Sequence, residues 1–302
     1  MGISFLRGGE IPAGFTGKQP EVRPLSPPVR KGTGLRGQTS QPRPRLLLIR
    51  LIIIPLLVFS AWILETHLLA GIPRLFSRYN PMGLLIYSVF SCIFLGILVP
   101  MTCIRSSFLT GAVNMFQIGF RSLRRTVSVC TIVAAAGYAC IIMLSPSGAD
   151  QLAFANAFLL FLPTSIATVM ICWVLVGTHV QAFVSTGGML ASILTGIIVT
   201  ALLFSLSLFV LMAEPGPDPV ILLLFCIGCG AAIFFFAIRD VYATILVVTF
   251  VTVFVGISSV DPVYLRQPDP AVYVATFITA SVLAGVHGYC SRYYTTIPVS
   301  SP

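Results

Sequence analysis

The chain has 302 residues, of which 57% are hydrophobic and only 9% are charged, with a mean hydropathy of +0.98 and a formal net charge of +9. A soluble domain carries about a quarter charged residues, so this composition excludes a soluble globule. The hydrophobic residues form long blocks instead of the short alternating segments of a β-barrel, which excludes that class as well.

The first 45 residues differ from everything that follows, because they are rich in Pro, Gly, Arg and Lys and show no apolar periodicity. Such a segment buries too little apolar surface to offset the entropy of ordering, so we expect a disordered, basic cytoplasmic tail over 1–45. Its eight basic residues against two acids also fit an organellar transit peptide, although serine is scarce. A wrongly assigned start codon is the third interpretation.

Eight apolar blocks follow the tail, and several reach the roughly 20 residues that a helix needs to cross a bilayer core about 30 Å thick. We therefore predict an all-α integral membrane protein, a bundle of about eight transmembrane helices over 46–290, followed by a short cytoplasmic tail over 291–302. If the segments around Arg239-Asp240 formed one element, the count would fall. The predicted spans are 47–69, 82–104, 127–144, 152–177, 188–212, 220–238, 241–260 and 271–289.

Basic residues predict how the chain is oriented, because cytoplasmic loops carry an excess of Lys and Arg. With the N-terminus inside and eight crossings, fifteen of the eighteen basic residues fall on the cytoplasmic side. The sequence therefore predicts a multi-pass protein of the cell (cytoplasmic) membrane with both termini in the cytoplasm.

Glu65 and His67 lie near the outer end of the first span. A carboxylate at that depth must find water, a partner or a proton. One interpretation is a proton or cation site at the outer mouth of the bundle. The other is an interfacial residue that reaches water, with Arg74 or Arg78 as its partner.

The segment between the second and third spans, about 106–125, has an apolar and a polar face at helical spacing, and Arg121, Arg124 and Arg125 lie on the polar face. Its apolar stretch is too short to cross a membrane. We predict a cytoplasmic amphipathic helix whose arginines contact anionic lipid headgroups. The alternatives are a re-entrant segment packed among the spans and a docking surface for a partner subunit.

The fourth span places Asn156, Pro163, Thr164 and Ser165 in an otherwise apolar stretch. Proline leaves one backbone carbonyl without its helical partner, and in lipid a hydroxyl or another helix must satisfy it. Transporters place broken helices at binding sites, which makes this segment a candidate polar site. A purely structural kink is the alternative.

His179 and His287 are expected near the inner ends of the fourth and eighth spans, where they are weak candidates for a metal pair, with Cys290 nearby. His67 belongs to the opposite side, so a three-histidine centre is excluded. No P-loop, zinc-protease, serine-hydrolase or dinucleotide motif is present. We therefore predict no catalytic residues, no bound metal and no cofactor.

Small residues recur at every fourth position of two spans, and such rows let helix backbones approach closely. They predict a tight bundle, or a homo- or hetero-oligomer formed through these faces. The other expected partner is the lipid bilayer, and we do not expect the protein to bind nucleic acid. The rows are Gly188, Ser192, Gly196 and Thr200 on the fifth span, and Thr276, Ala280, Ala284 and Gly288 on the eighth.

Three functions fit these features. The leading hypothesis is a permease-like or channel-like protein for a small solute or lipid, based on the span count and the kinked fourth span. A non-catalytic membrane subunit or assembly factor is the alternative, and an intramembrane enzyme is the third. A polar cavity beside Pro163 would favour transport, whereas a dry bundle with an exposed small-residue face would favour a subunit.

Overall fold

The structure is a computed structural model that describes residues 48–70, 81–109, 111–113, 115–144, 151–211, 219–257, 260, 265–267 and 269–296. The predicted tail over 1–45, the loop that holds Arg74 and Arg78, and residues 297–302 lie outside this part of the chain. The described residues are 94% helical and contain no strand. The all-α fold predicted from the apolar blocks is therefore confirmed.

Eight long helices follow the predicted spans in order. They are α1 (Ile49–Ile53 continuing as Ile54–Ala70), α2 (Pro81–Leu109), α3 (Leu123–Leu144), α4 (Gln151–Val184), α5 (Met189–Leu211), α6 (Pro219–Ile238), α7 (Val241–Gly256) and α8 (Pro270–Thr296). Seven of them are long and apolar enough to cross a membrane, and α7, with 16 residues, is the shorter one. The helix α8 also continues beyond residue 290, where the short C-terminal tail was predicted to begin.

Helix α4 is the centre of the bundle. It has 34 residues, and 89% of its most apolar window is buried, because α1, α2, α5, α7 and α8 all pack against it. At 1.5 Å per residue it is about 51 Å long, which exceeds a bilayer core of about 30 Å. The helix that carries the predicted kink is therefore enclosed by its neighbours along most of its length.

Three of the four residues in the row on the fifth span, Ser192, Gly196 and Thr200, lie inside the protein, whereas Gly188 is exposed just before α5 begins. The Ser192 hydroxyl donates a hydrogen bond to the Gln181 carbonyl (2.9 Å), and a Cβ added at Gly196 would lie 3.0 Å from the Phe236 ring. On α8, Thr276 is buried but the remaining members of the row are exposed. A contact between copies or subunits through α8 stays a prediction.

The amphipathic helix predicted over about 106–125 is not a single helix. Helix α2 runs on to Leu109, and only the four residues Met115–Ile118 form a helix before α3 begins at Leu123. Gly111 and Gly119 adopt φ values of +70° and +92°, which a right-handed helix does not allow. The chain therefore changes direction twice where a continuous helix was predicted.

This segment is packed against one end of the bundle. Val113, Ile118 and Phe120 are all buried, and the Val241 N–H donates a hydrogen bond to the Gly119 carbonyl (3.1 Å). The Met115–Ile118 helix packs against α4, and Phe120 packs against Tyr242 of α7, so apolar side chains that were expected to lie in lipid are buried in the protein. Leu109 and Leu123, at the two ends of the segment, are exposed. The arrangement agrees with the alternative of a segment packed among the spans.

The turn Arg239-Asp240 separates α6 from α7. Arg239 has φ +54°, and the Asp240 carboxylate caps α7 by accepting a hydrogen bond from the Ala243 N–H (3.1 Å). The same carboxylate accepts a hydrogen bond from the Thr126 hydroxyl (2.7 Å) at the start of α3. The two segments are therefore distinct helices, as the sequence predicts.

Candidate functional site

Buried hydroxyl groups meet where α1, α2 and α4 pack together. The Tyr87 hydroxyl of α2 lies 3.2 Å from the Thr164 hydroxyl of α4, and both residues are buried. Thr66 of α1 approaches the same tyrosine, as does Cys92 of α2. Thr164 directly follows Pro163, so this contact brings the predicted kink together with two other helices.

Glu65 lies at the edge of these hydroxyls. Its carboxyl group approaches the Ser91 hydroxyl of α2, although the pair does not reach standard hydrogen-bond geometry. On its other side Glu65 lines a groove of about 450 Å³ between α1 and α2, whose remaining walls include Leu64 and Phe90. We call Glu65, Thr66, Tyr87, Ser91 and Thr164 the Glu65 cluster. The Glu65 carboxyl group lies between the outward-facing groove and the buried hydroxyls.

Four polar atoms on α1 and α2 are buried without a hydrogen-bond partner. They are the Trp62 indole nitrogen and the hydroxyl oxygens of Thr66, Ser88 and Ser91. Burying a polar group without a partner costs about 1–3 kcal/mol, and unsatisfied groups of this kind are rare in native structures. Their concentration on two adjacent helices beside a carboxylate marks this region as one that offers hydrogen bonds to a polar ligand.

The kinked segment of α4 is satisfied from within the protein. Pro163 lacks the N–H that would bond to the Leu159 carbonyl, and the Thr276 hydroxyl of α8 donates a hydrogen bond to that carbonyl instead (2.7 Å). The Ser165 hydroxyl donates to the Phe161 carbonyl of its own helix (3.0 Å). The freed carbonyl therefore has the partner from another helix that the sequence requires.

Asn156 holds α4 to the chain that precedes α8. Its amide nitrogen donates a hydrogen bond to the Leu265 carbonyl (2.7 Å), and its amide oxygen accepts one from the Tyr273 hydroxyl (3.4 Å). Asn156 is thus occupied in structural contacts, whereas Thr164 points toward another helix's polar side chain. His67 is exposed and has no role in the Glu65 cluster; its proposed neighbours Arg74 and Arg78 lie outside the described residues.

Two of the three arginines predicted to contact lipid headgroups bind the end of α6. The Nε of Arg121 donates a hydrogen bond to the Arg239 carbonyl (3.0 Å), and Arg125 donates one to the Ile238 carbonyl (3.1 Å). Cations at the C-terminal end of a helix satisfy its last carbonyls and complement its dipole. Arg124 between them is exposed.

The two histidines considered as a metal pair have separate partners. His179 is buried, its Nδ1 donates a hydrogen bond to the Leu175 carbonyl (2.7 Å), and its Nε2 lies 2.8 Å from the Ser107 hydroxyl. The Nδ1 of His287 lies 3.2 Å from the Tyr242 hydroxyl. Among the described residues, no three His, Cys, Asp or Glu side chains come together in a way that would hold a metal ion.

Sequence reasoning singled out Glu65 and Thr164 but did not place them in one cluster, and it missed Thr66, Tyr87 and Ser91. Tyr87 and Ser91 belong to the stretch YSVFSC of the second span. Three hydroxyls within five residues of a transmembrane segment are the signal that was available. Such groups need partners in lipid; Tyr87 finds Thr164 on the fourth span and approaches Thr66 on the first.

No family model, curated protein or solved structure matches this chain. The class of protein therefore rests on the architecture alone. Seven long apolar helices among the described residues, one of them the buried central helix α4, indicate a membrane-embedded, polytopic helical bundle.

Proposed function

We propose that the protein is permease-like or channel-like and carries protons or a small monovalent cation through the Glu65 cluster. The observation that supports this is a carboxyl group beside buried hydroxyls that have no hydrogen-bond partner, where α1 and α2 meet the Pro163 segment of α4. Intramembrane carboxylates are costly, and they are typical of proton and ion pathways.

The chemistry of the Glu65 cluster favours a cation over an anion. Its polar groups are one carboxylate and several hydroxyl oxygens, and oxygen ligands are those that hard cations prefer. No basic side chain is among its members. An anionic substrate would meet the Glu65 carboxylate without a compensating positive charge.

Purified protein in liposomes of neutral lipid tests this proposal. A potassium gradient with valinomycin sets an inside-negative potential, and dyes that respond to protons or sodium report the flux of each ion. Potassium flux is measured separately without valinomycin, because this ionophore carries potassium itself. We expect one of these fluxes to exceed that of protein-free liposomes, and Glu65→Gln to reduce it to the protein-free rate, because the amide has no negative charge to attract a cation and does not take up or release a proton. Glu65→Asp retains the charge and is expected to preserve part of the flux.

Hydroxyl variants separate the Glu65 cluster from general effects on the bundle. Ser91→Ala is expected to slow the flux, whereas Thr131→Val on the exposed face of α3 is a matched control, since Thr131 only bonds to its own helix. Wild-type liposomes without flux of any of the three ions would refute the proposal. Equal flux in wild type and Glu65→Gln would place the pathway elsewhere.

We also propose eight crossings with both termini in the cytoplasm. Two contacts at one end of the bundle support an even number of crossings between the residues that they join: Arg121 before α3 donates to Arg239 after α6, and Tyr242 at the start of α7 lies beside His287 near the end of α8. On this proposal α7, although it has only 16 residues, is the seventh crossing. A reporter fused after Pro302 is expected to be cytoplasmic, and an external reporter would contradict the orientation.

The second candidate function, a non-catalytic membrane subunit, draws support from the exposed small residues Ala280, Ala284 and Gly288 of α8, and from α3. Only 11% of its most apolar window is buried, and its packing within the described bundle is mainly against α7, where Gly137 lies beside the Phe250 ring. A helix this exposed can contact a partner subunit as well as lipid. A partner that co-purifies in mild detergent, together with no ion flux, would favour this candidate.

A further inference from the structure

A pocket of about 730 Å³ opens at the end of the bundle opposite the Glu65 cluster, between the start of α3 and the last turns of α8. One wall carries Arg121 and Arg125, and the other carries His287 and Ser291. We call this the arginine pocket. No carboxylate is among the described residues that line it.

The two arginines are held in place by the protein. Each gives one N–H to a terminal carbonyl of α6, as described above. A guanidinium has five N–H donors in a fixed fork that matches phosphate oxygens. Anchoring one donor therefore fixes the orientation of a positive charge that borders the pocket.

An aromatic group closes the pocket toward the bundle. His287 lies 5.4 Å from the Tyr242 ring and 5.5 Å from the Phe120 ring, centroid to centroid, and its Nδ1 is paired with the Tyr242 hydroxyl. These contacts fix the imidazole at the wall of the pocket. Ser122 and Ser291 add two hydroxyls near its rim.

We propose that the arginine pocket binds the phosphate headgroup of an anionic phospholipid from the surrounding bilayer. The described lining of the pocket contains two arginines and no acidic residue, so it favours an anionic ligand. The same positive charge disfavours the basic N-terminal tail of this chain as the occupant. The walls next to the arginines are apolar and outward-facing: Leu123 is 71% exposed, and Ala284 and Gly288 are exposed on α8. A headgroup in the pocket thus leaves its glycerol and acyl chains against surfaces that suit lipid.

The experiment adds dioleoylphosphatidylglycerol or dioleoylphosphatidylcholine to the purified full-length protein in neutral detergent and counts bound lipids by native mass spectrometry. We expect preferential binding of phosphatidylglycerol. Arg125→Gln should weaken it about fivefold to tenfold, since a basic residue near an anionic lipid contributes about 1 kcal/mol or more. Arg124→Gln, an adjacent exposed arginine outside the pocket lining, is the matched control and should bind as wild type does.

A second variant pair leaves the arginines and their helix contacts intact. Gly288→Leu fills the pocket, and Gly285→Leu adds the same side chain one turn away outside its lining; an added Cβ meets no atom within 4 Å at either position. Only Gly288→Leu should lose the lipid. Equal effects of the paired variants, equal binding of both lipids, or full competition by inorganic phosphate would each overturn the proposal, the last by indicating a soluble anion.

Discussion

Replacing Arg239 with leucine is expected to destabilise the bundle by about 2–4 kcal/mol. The substitution removes two charge-assisted hydrogen bonds and leaves their acceptor oxygens without that donor. The Arg239 guanidinium donates to the Gln117 carbonyl (3.0 Å) and to the Gln181 side-chain oxygen (2.7 Å). Its charged end also lies 4.9 Å from the centre of the Phe236 ring, a cation–π contact. One side chain thereby joins the 115–118 helix, α4 and α6.

The charge of Arg239 is retained although the residue is partly buried. Burial, with a smaller contribution from the neighbouring Arg121, lowers the pKa of Arg239 to about 10. At neutral pH the guanidinium is therefore protonated, and carbonyl and amide oxygens stabilise it. Leucine removes the charge but leaves the oxygen atoms of Gln117 and Gln181 without this donor.

Unfolding in mixed detergent micelles, followed by helical circular dichroism against sodium dodecyl sulfate concentration, measures this effect. Arg239→Lys retains the charge but not the fork of donors, so we expect an intermediate loss. Arg124→Leu removes an exposed arginine and should change the unfolding free energy by less than about 0.5 kcal/mol. Similar stabilities of the Arg239→Leu and Arg124→Leu variants would show that Arg239 does not join these elements.

The helical architecture could be predicted because lipid imposes a simple constraint. A segment without water must satisfy its backbone hydrogen bonds internally, so blocks of about 20 apolar residues predict helices with little ambiguity. The described helices follow the predicted blocks in order, including the break at Arg239-Asp240. The segment 106–125 was predicted wrongly as one helix. Its apolar residues recur at helical spacing, but Gly111 and Gly119 adopt positive φ values that end the helix, and the spacing of apolar residues does not reveal such turns.

The Glu65 cluster could be predicted only in part, because sequence spacing says which residues share a helix face but not which helices are neighbours. Tyr87 and Thr164 are 77 residues apart in the chain. In a soluble protein, amphipathic stripes would indicate which face points inward. Here every face is apolar, so only the packing of α1 and α2 against α4 brings the carboxyl group and the hydroxyls together.

Close packing around α4 depends on contacts that no sequence motif predicts. A Cβ on Gly96 of α2 would lie 2.5 Å from the Cβ of Ala167, so this approach is possible only with glycine. Near it, the Pro163 kink is paired with Thr276, a residue that sequence analysis assigned to a packing row. Small and hydroxyl residues of the spans thus serve two purposes: they let helix backbones approach closely, and they donate hydrogen bonds to carbonyls that a proline leaves without a helical partner.

Thr276→Val is expected to destabilise the protein by about 1–3 kcal/mol, because the isosteric side chain fills the same space but leaves the Leu159 carbonyl, which is partly buried, without a donor. Unfolding free energies in mixed micelles measure the effect. The physical reason predicts a specific rescue. Pro163→Ala restores the N–H that bonds to the Leu159 carbonyl within α4, so Thr276→Val should cost much less in the Pro163→Ala background.

A double-mutant cycle between Pro163 and Thr276 distinguishes this cause from a general packing defect, since only residues that share a partner couple strongly. Thr279→Val is the matched control: Thr279 lies one turn further along α8, and its hydroxyl donates to the Ala275 carbonyl of its own helix (2.8 Å), so its effect should be the same with proline or alanine at 163. Additive effects of Pro163→Ala and Thr276→Val would mean that the Leu159 carbonyl finds another donor. The kink would then not depend on α8, and α4 would be free to bend without loosening its contact with that helix.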